Sequence, residues 1–174
     1  IGLATAQLLA AAGAHTVMAG LPAHHPERVA AELADEQGLL TEGQACDVTD
    51  QAQLAGVVSS ILERHGRLDT VLCNAGVALD TGPHLTTTDA QLDAMFDVNV
   101  RSVLQLANLT LPSIADAGGG AFVIMSSIAG MRGNRMLGGY GVTTAAHAPL
   151  ARHLAGGAEG VARRADRLVR LLRV

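Results

Sequence analysis

The chain has 174 residues, 49% of them hydrophobic and 16% charged, which is enough for one ordinary globular domain and too short for two comfortable ones. A net charge of -4 gives no electrostatic reason to expect nucleic-acid binding, for which a basic stripe is the usual sign. With one Tyr, two Phe and no Trp, the core has to be built from Ala, Leu, Val and Ile, which suits helices layered on a sheet. We therefore expect one α/β domain over residues 1–174 and no nucleic-acid partner.

Membrane, metal and disulfide features are absent from the sequence pattern. No apolar run reaches the roughly 18 residues that a membrane-spanning helix needs, and no charged, cleavable leader precedes the first predicted helix. Cys46 and Cys73 are isolated, with no CxxC spacing and no His at metal-ligand intervals, so we predict reduced, buried thiols and no metal site. His24 and His25 lack a third ligand, and we expect them at the surface. These features favour a cytoplasmic protein with no membrane segment.

Helices and strands alternate through the first part of the chain. The predicted elements are a helix over 1–12, a strand over 15–19, a helix over 26–37, a strand over 40–46 and a helix from Thr49 and Asp50 to about 65. Gly13, Gly38 and Gly66 follow the three helices as C-terminal cap residues. Pro26 lies in the first turn of the second helix, where proline is favoured. Gly43 weakens the second strand prediction.

The same alternation continues to about residue 154. The predicted elements are a strand over 68–73, a helix over 89–117, a strand over 121–125 and a helix over 140–154. We expect Pro112 to bend or shorten the first of these helices. The run over 121–125 is continuously apolar, as a strand covered on both faces should be. Strands that alternate with amphipathic helices predict βαβ units and a doubly wound, mostly parallel sheet.

The C-terminal segment, 156–174, is rich in arginine and leaves two interpretations open. Its arginines are Arg163, Arg164, Arg167, Arg170 and Arg173, and its apolar residues at roughly helical spacing are Val161, Leu168, Leu171 and Leu172. One interpretation is a basic amphipathic helix of the membrane-surface kind. The other is a solvated helix face or a frayed end.

A pair of hydroxyls is the most informative chemical feature. An apolar, strand-like run leads to Ser127, and the chain returns thirteen residues later with Tyr140. Two hydroxyls held in this way suit carbonyl chemistry. Thr144 lies one helical turn beyond Tyr140 on the same face, where a cation would be the natural way to acidify a phenol, but the chain contains no lysine.

Four strings together resemble the short-chain dehydrogenase/reductase family in order and spacing. They are CDVTD at 46–50, CNAG at 73–76, DVNV at 97–100, and MSS at 125–127 followed by Tyr140. The resemblance covers about residues 1–155 and implies a Rossmann-like α/β fold. It also implies NAD or NADP as cofactor, a small-molecule carbonyl or alcohol substrate, and assembly as a homodimer or homotetramer.

The resemblance assigns roles to three residues of the site. Tyr140 would donate a proton to the carbonyl oxygen, or remove one from the alcohol, while the nicotinamide carries the hydride. Ser127 would hydrogen-bond the same oxygen, with Ser126 a poorer candidate on spacing, and Asn99 would hold a water in a proton relay. The alternative is a purely structural role, in which Ser127 only satisfies backbone groups at the end of a strand and Tyr140 only starts a helix.

The residues implied in cofactor binding lie at the ends of predicted strands and at the first helix. They are Gly2, Asp47, Val48, Asn74, Ala75, Gly76 and Tyr140. Asp47 would also serve as a cap of the following helix, and the turn after the third strand needs no ligand to explain it, so both interpretations stay open. The charge with which the family selects NAD or NADP is missing at Gly20, Leu21 and Pro22, which leaves the choice of cofactor open.

The sequence departs from the family pattern in three places. The first strand and most of the glycine-rich phosphate loop have no counterpart before Gly2, which predicts a split sheet, and 156–174 diverges where the family returns to a strand. At Thr144 the family has a lysine whose charge lowers the pKa of the phenol and whose ammonium binds the nicotinamide ribose.

These departures predict an incomplete domain with impaired activity. Arg132 and Arg135 lie between the two hydroxyls and are the alternative cations. The rival interpretation is a non-catalytic protein that pairs with related subunits through the helices at 100–117 and 140–154.

Overall fold

The computed structural model describes residues 1–79, 82, 86–133, 135–158 and 169–173, the last five and residues 157–158 by their backbone alone. Contacts divide the chain into two compact units, Ile1–Arg64 and His65–Val174. Both units combine parallel strands with helices, so the predicted α/β class is confirmed. Among the described residues, every helix falls short of the length or the apolar character that a membrane span needs.

The first unit alternates helices with a parallel pair of strands. Its elements are α1 (Gly2–Ala11), β1 (Thr16–Gly20), α2 (Pro26–Gln37), β2 (Thr41–Ala45) and α3 (Gln51–His65). β1 pairs in parallel with β2, from Thr16 with Thr41 to Gly20 with Ala45. His24 and His25, between β1 and α2, are exposed as predicted.

Local chemistry explains the boundaries of these elements. Gly38 ends α2 in the left-handed region, with φ of 65°, which a glycine adopts without strain. Asp50 caps α3, because its Oδ1 accepts the backbone N–H groups of Ala52 at 2.9 Å and Gln53 at 3.1 Å. A Cβ at Gly43 would lie 2.0 Å from the Pro26 carbonyl oxygen. The residue that weakened the strand prediction is therefore the one that lets α2 pack closely on β2.

The second unit carries a parallel three-stranded sheet. Its elements are β3 (Thr70–Cys73), α4 (Asp89–Phe96), α5 (Ser102–Asp116), β4 (Ala121–Ser126), α6 (Gly138–Ala145), α7 (His147–Ala158) and β5 (Val169–Arg173). The strand order is β3-β4-β5. The core packs one face of α5 and α7 on the sheet and includes Val103, Ile114, Phe122, Ile124 and Leu154. The described strands thus form two sheets, one in each unit.

Two long helices predicted as continuous are interrupted. A π-helical turn at Asp97–Arg101 separates α4 from α5, and Ala146 separates α6 from α7. The second break has a local cause: Pro149 cannot donate a backbone hydrogen bond, and its ring clashes with the carbonyl of the residue four positions earlier. Pro112 lies inside α5, which continues to Asp116, so it does not shorten the helix, and the bend stays a prediction.

The prediction for the arginine-rich segment is wrong where the structure describes it. α7 runs through Gly156 and Gly157 to Ala158, and residues 169–173 form a strand instead of a helix. β5 pairs in parallel with β4, from Phe122 with Val169 to Ser126 with Arg173. Pairing with β5 satisfies the backbone hydrogen-bonding groups along the edge of β4, which stabilises the strand. The helical spacing of apolar residues in the sequence does not reveal this long-range stabilisation. The rest of the predicted helix, 159–168, lies outside the described residues.

Candidate active site

The carboxyl edge of the three-stranded sheet carries two of the predicted site segments of the second unit. β3 ends at Cys73 and is followed by Asn74–Gly76, while β4 ends at Ser126 directly before Ser127. The two strands are parallel neighbours, and their register pairs Cys73 with Ile124. Ligands of doubly wound sheets bind at this edge. The fold therefore places Asn74–Gly76 and Ser127 at one edge of one sheet.

Ser127 joins β4 to a short 3₁₀ turn at Ile128–Gly130. Its backbone is extended, with φ of -134°, and its Oγ accepts the N–H of Ala129 at 3.2 Å. The side chain is only partly buried. A hydroxyl that accepts one bond in this way keeps its own proton for donation to a ligand oxygen.

Tyr140 lies in the first turn of α6, which begins two residues earlier than the sequence predicts. Its residue is partly buried, and its backbone carbonyl accepts the hydroxyls of Thr143 and Thr144, both at 2.9 Å. The start of α6 is therefore held by side chains of its own second turn.

Two glycines bring the Ser127 turn against the Tyr140 helix. A Cβ at Gly130 would lie 2.6 Å from the Ala145 backbone nitrogen, and one at Gly141 would lie 3.0 Å from the Ala129 carbonyl oxygen. The first distance is too short for any side chain, so backbone packs directly on backbone here. Close packing of this kind fixes the elements that carry the two hydroxyls relative to each other.

Asn99 connects three segments of the unit from the π-helical turn. It is 1% exposed, and its Oδ1 accepts the Val77 N–H at 2.8 Å while its Nδ2 donates to the Val77 carbonyl at 2.9 Å. The second Nδ2 proton goes to the Thr143 hydroxyl at 3.0 Å. Both amide protons of Asn99 are thereby used within the protein. The side chain ties the segment after Gly76 to the helix of Tyr140, and the water-holding role stays a prediction.

Position 144 is turned inward and carries no charge. Thr144 is 3% exposed, and its hydroxyl bonds back to the carbonyls of Tyr140 and Gly141. Its own carbonyl accepts the Ser126 hydroxyl at 3.2 Å. Ser126 thus fastens the end of β4 to α6, which is a structural use of the serine that spacing disfavoured for catalysis.

His147, the first residue of α7, is buried beside Asn99. It is 4% exposed, and its Nε2 lies 2.6 Å from the Asn99 carbonyl oxygen. Desolvation lowers the pKa of this imidazole, and the hydrogen bond to Asn99 opposes the shift. Because a carbonyl only accepts hydrogen bonds, Nε2 carries the proton of the neutral ring.

A surface cavity of about 640 Å³ lies beside α6. Met131 and Leu137 line it together with Arg132. Neither Ser127 nor Tyr140 is among the described residues that line it. Arg132 therefore faces a cavity to which the two hydroxyls do not contribute, which gives no support to its use as a substitute cation.

The remaining predicted cofactor residues belong to the first unit. Gly2 is the first residue of α1, and Asp47 and Val48 follow β2 and are partly buried. The Asp47 carboxylate accepts the Thr49 N–H at 2.9 Å and the Thr49 hydroxyl at 2.7 Å, so it shapes the turn before α3. The interpretation of Asp47 as a cap of α3 is wrong, because Asp50 accepts the backbone N–H groups at the start of that helix. The turn role of Asp47 does not exclude a ligand.

The thiols are buried and free, as the sequence predicts. Burial raises the pKa of Cys73 to about 12. Burial, and then the charges of Asp47 and Asp50, also raise the pKa of Cys46. Both shifts disfavour the thiolate, which is the reactive form of cysteine.

Comparisons with known proteins agree with this geometry. A family profile described as Enoyl-(Acyl carrier protein) reductase matches residues 1–162. Dehydrogenase/reductase SDR family member 4 of Bos taurus is 34% identical over 155 residues, which are 89% of this chain and 55% of that protein. The human mitochondrial Dehydrogenase/reductase SDR family member 2 is 35% identical over 155 residues, which are 89% of this chain and 55% of that protein. The chain thus spans about half the length of the curated relatives it matches.

Solved structures show the same architecture. A metagenomic short-chain oxidoreductase in complex with NADP is 27% identical, with a TM-score of 0.87 over 99% of this chain and 76% of the other. Levodione reductase is 27% identical, with a TM-score of 0.88 over 98% and 65%. The fold and these comparisons together define a Rossmann-like α/β protein. The chain belongs to the short-chain dehydrogenase/reductase family.

Sequence reasoning missed Thr143 and His147, which surround Asn99. Both are almost fully buried polar residues on predicted helix. Their contacts with Asn99 span 44 and 48 residues of sequence, so no local pattern reports them. The only available signal was a histidine in an otherwise apolar stretch seven residues after Tyr140.

Proposed function

We propose that the chain is an NAD(P)-dependent oxidoreductase that interconverts a carbonyl and an alcohol, with weak activity. The observation that supports this proposal is the direct backbone packing of the turn after Ser127, at the carboxyl end of β4, on α6, the helix that includes Tyr140. Family membership supports the same reaction class.

The residues at this edge fit the nicotinamide end of a dinucleotide. Asn74–Gly76 is exposed, and Val77 behind it is held at both backbone groups by Asn99. This arrangement offers a fixed backbone surface at the sheet edge where Ser127 also lies. We assign Gly2, Asp47 and Val48 to the adenosine and phosphate part, as the resemblance implies.

Tyr140 acts in this proposal as the acid or base. When bound, the nicotinamide supplies or accepts the hydride at the substrate carbon. During reduction Tyr140 gives its proton to the carbonyl oxygen, and Ser127 donates a hydrogen bond to the same oxygen and fixes its position. During oxidation Tyr140 removes the alcohol proton.

Thr144 limits the rate in this account. Alcohol oxidation needs the phenolate, which a neighbouring cation stabilises and a neutral hydroxyl bonded back to the helix does not. Carbonyl reduction needs the protonated phenol and is therefore less impaired. A lysine at 144 would supply the cation, and a methionine would supply similar length without charge.

A second candidate is a non-catalytic partner subunit. Large apolar side chains are exposed on α6 and the turn before it, with Val142 58%, Met131 56% and Ile128 52% exposed. Such residues on neighbouring elements are typical of a surface that another chain covers. This candidate predicts stable oligomers without cofactor binding.

Titration of NADH and NADPH fluorescence with the purified chain separates the two candidates. The proposed oxidoreductase binds at least one nucleotide and reduces a generic ketone slowly. Thr144→Lys then raises kcat/KM for alcohol oxidation by at least about tenfold, and Thr144→Met does not. Stable oligomers that bind neither nucleotide would support the partner subunit instead, and equal rates in the Thr and Lys forms would contradict the role given to position 144.

A further inference from the structure

The buried imidazole of His147 makes one hydrogen bond, through its protonated Nε2. Its Nε2 donates to the Asn99 carbonyl at 2.6 Å, and its Nδ1 has no hydrogen-bond partner among the residues that the structure describes. A buried polar ring with one unused acceptor is less favourable than an apolar side chain of similar size. The bond to Asn99 is therefore the feature that distinguishes histidine from leucine at this position.

Asn99 transmits this bond to both sides of the candidate site. Its side chain holds the two backbone groups of Val77, directly behind Asn74–Gly76. It also donates to the Thr143 hydroxyl, which in turn donates to the Tyr140 carbonyl. A Cβ at Gly76 would lie 3.5 Å from Asn99 Oδ1, so the same side chain also lies close to the turn.

The backbone of Asn99 lies in a π-helical turn. Such turns are rare, interrupt the regular helix and are often found at functional sites. The His147 ring bonds a carbonyl of this turn from α7, the helix that follows the Tyr140 helix after the break at Ala146. The ring thus fixes the π-helical turn to α7, and the Asn99 side chain, through Thr143, ties the same turn to α6, the helix that carries Tyr140.

We propose that His147 is a positioning residue: by clamping the Asn99 carbonyl, it sets the Asn74–Gly76 turn and Tyr140 at a fixed separation. The proposal rests on the proposed function for its consequence, since the two segments are assigned to the cofactor and to proton transfer. The clamp itself is a property of the folded chain and is measurable without any cofactor.

The single tyrosine makes the clamp observable. The sequence contains no Trp, so the intrinsic fluorescence of the protein reports on Tyr140 alone. Acrylamide quenching is compared in wild type, His147→Leu and His147→Gln, where glutamine places an amide N–H near the position of Nε2. His153→Leu, at an exposed position of the same helix, is the matched control.

We expect His147→Leu to change Tyr140 quenching under conditions where circular dichroism shows a folded chain. We also expect it to weaken nucleotide binding about tenfold, the effect of one lost buried hydrogen bond. His147→Gln should restore both, and His153→Leu should alter neither. A merely structural histidine would shift only the unfolding midpoint.

Nuclear magnetic resonance of the wild type tests the same clamp if the leucine variant does not fold. Long-range proton–nitrogen spectra of histidine-labelled protein should show a neutral His147 ring protonated at Nε2 near neutral pH. A ring protonated at Nδ1, or a folded leucine variant with wild-type Tyr140 quenching, overturns the proposal. Absence of nucleotide binding to the wild type overturns the proposed function, while the quenching and resonance results still decide the clamp.

Discussion

Replacing Asn99 by alanine tests the hydrogen-bond node that holds the candidate site. The change leaves the Val77 N–H, the Val77 carbonyl and one side of the Thr143 hydroxyl without their partner. Each unsatisfied buried group costs about 1–3 kcal/mol. Val77 is only partly buried, so water restores some of its loss, and alanine favours helix by a few tenths of a kcal/mol. We therefore expect the free energy of unfolding to fall by about 3 kcal/mol, a large fraction of the 5–15 kcal/mol typical of a domain.

Urea unfolding followed by Tyr140 fluorescence measures this loss, because the only tyrosine lies in the same unit as Asn99. Asn108→Ala is the matched control, since Asn108 is exposed on α5 and its replacement should change stability by no more than about 0.5 kcal/mol. If the two alanine variants are equally stable, the node does not hold the unit together and the reasoning fails.

Three further predictions concern packing, pH and thiol reactivity. Gly130→Ala forces a Cβ to within 2.6 Å of the Ala145 backbone nitrogen and should destabilise the unit by about 1–3 kcal/mol in urea unfolding, whereas Gly133→Ala meets open space and should not. Burial holds the pKa of folded His147 below its unfolded value of about 6.5, so the unfolded chain binds the extra proton first and stability falls as pH drops below that value. His147→Gln should flatten this pH dependence. If the urea midpoint of the wild type changes between pH 7 and 5 no more than that of the variant, the result counts against a neutral buried ring. Cys73, with its pKa raised to about 12 by burial, should react with iodoacetamide only after urea unfolding, and rapid labelling of the native chain would contradict its burial.

Local sequence signals predicted most elements because their causes are local. Gly38 ends α2 with a left-handed backbone, and the apolar stripe of α3 places Leu54, Val57 and Val58 among the buried residues. Asp50 caps α3 with its own carboxylate, as its position before the helix indicates. These features follow from backbone conformation and periodicity within a few residues.

Features that depend on distant contacts were not predictable in the same way. The C-terminal segment has a helical sequence pattern, but Val169–Arg173 form a strand paired with β4. The strand is favoured because the edge of β4 satisfies the backbone groups of these residues. The π-helical turn and its bond to His147 join residues far apart in the chain. The four family strings located Ser127, Asn99 and Tyr140, whereas the inward bonds of Thr144 are visible only in the structure.

The most direct test of the account is transfer of deuterium from NADH or NADPH labelled at the transferable C4 position to a simple ketone, followed by mass spectrometry of the product alcohol. Because the label accumulates, the assay detects slow turnover. We predict labelled alcohol from the wild type, more from Thr144→Lys, and only background from Tyr140→Phe. Equal labelling by wild type and Tyr140→Phe, or no labelling by any of the three, would contradict proton transfer by Tyr140 beside a bound nicotinamide.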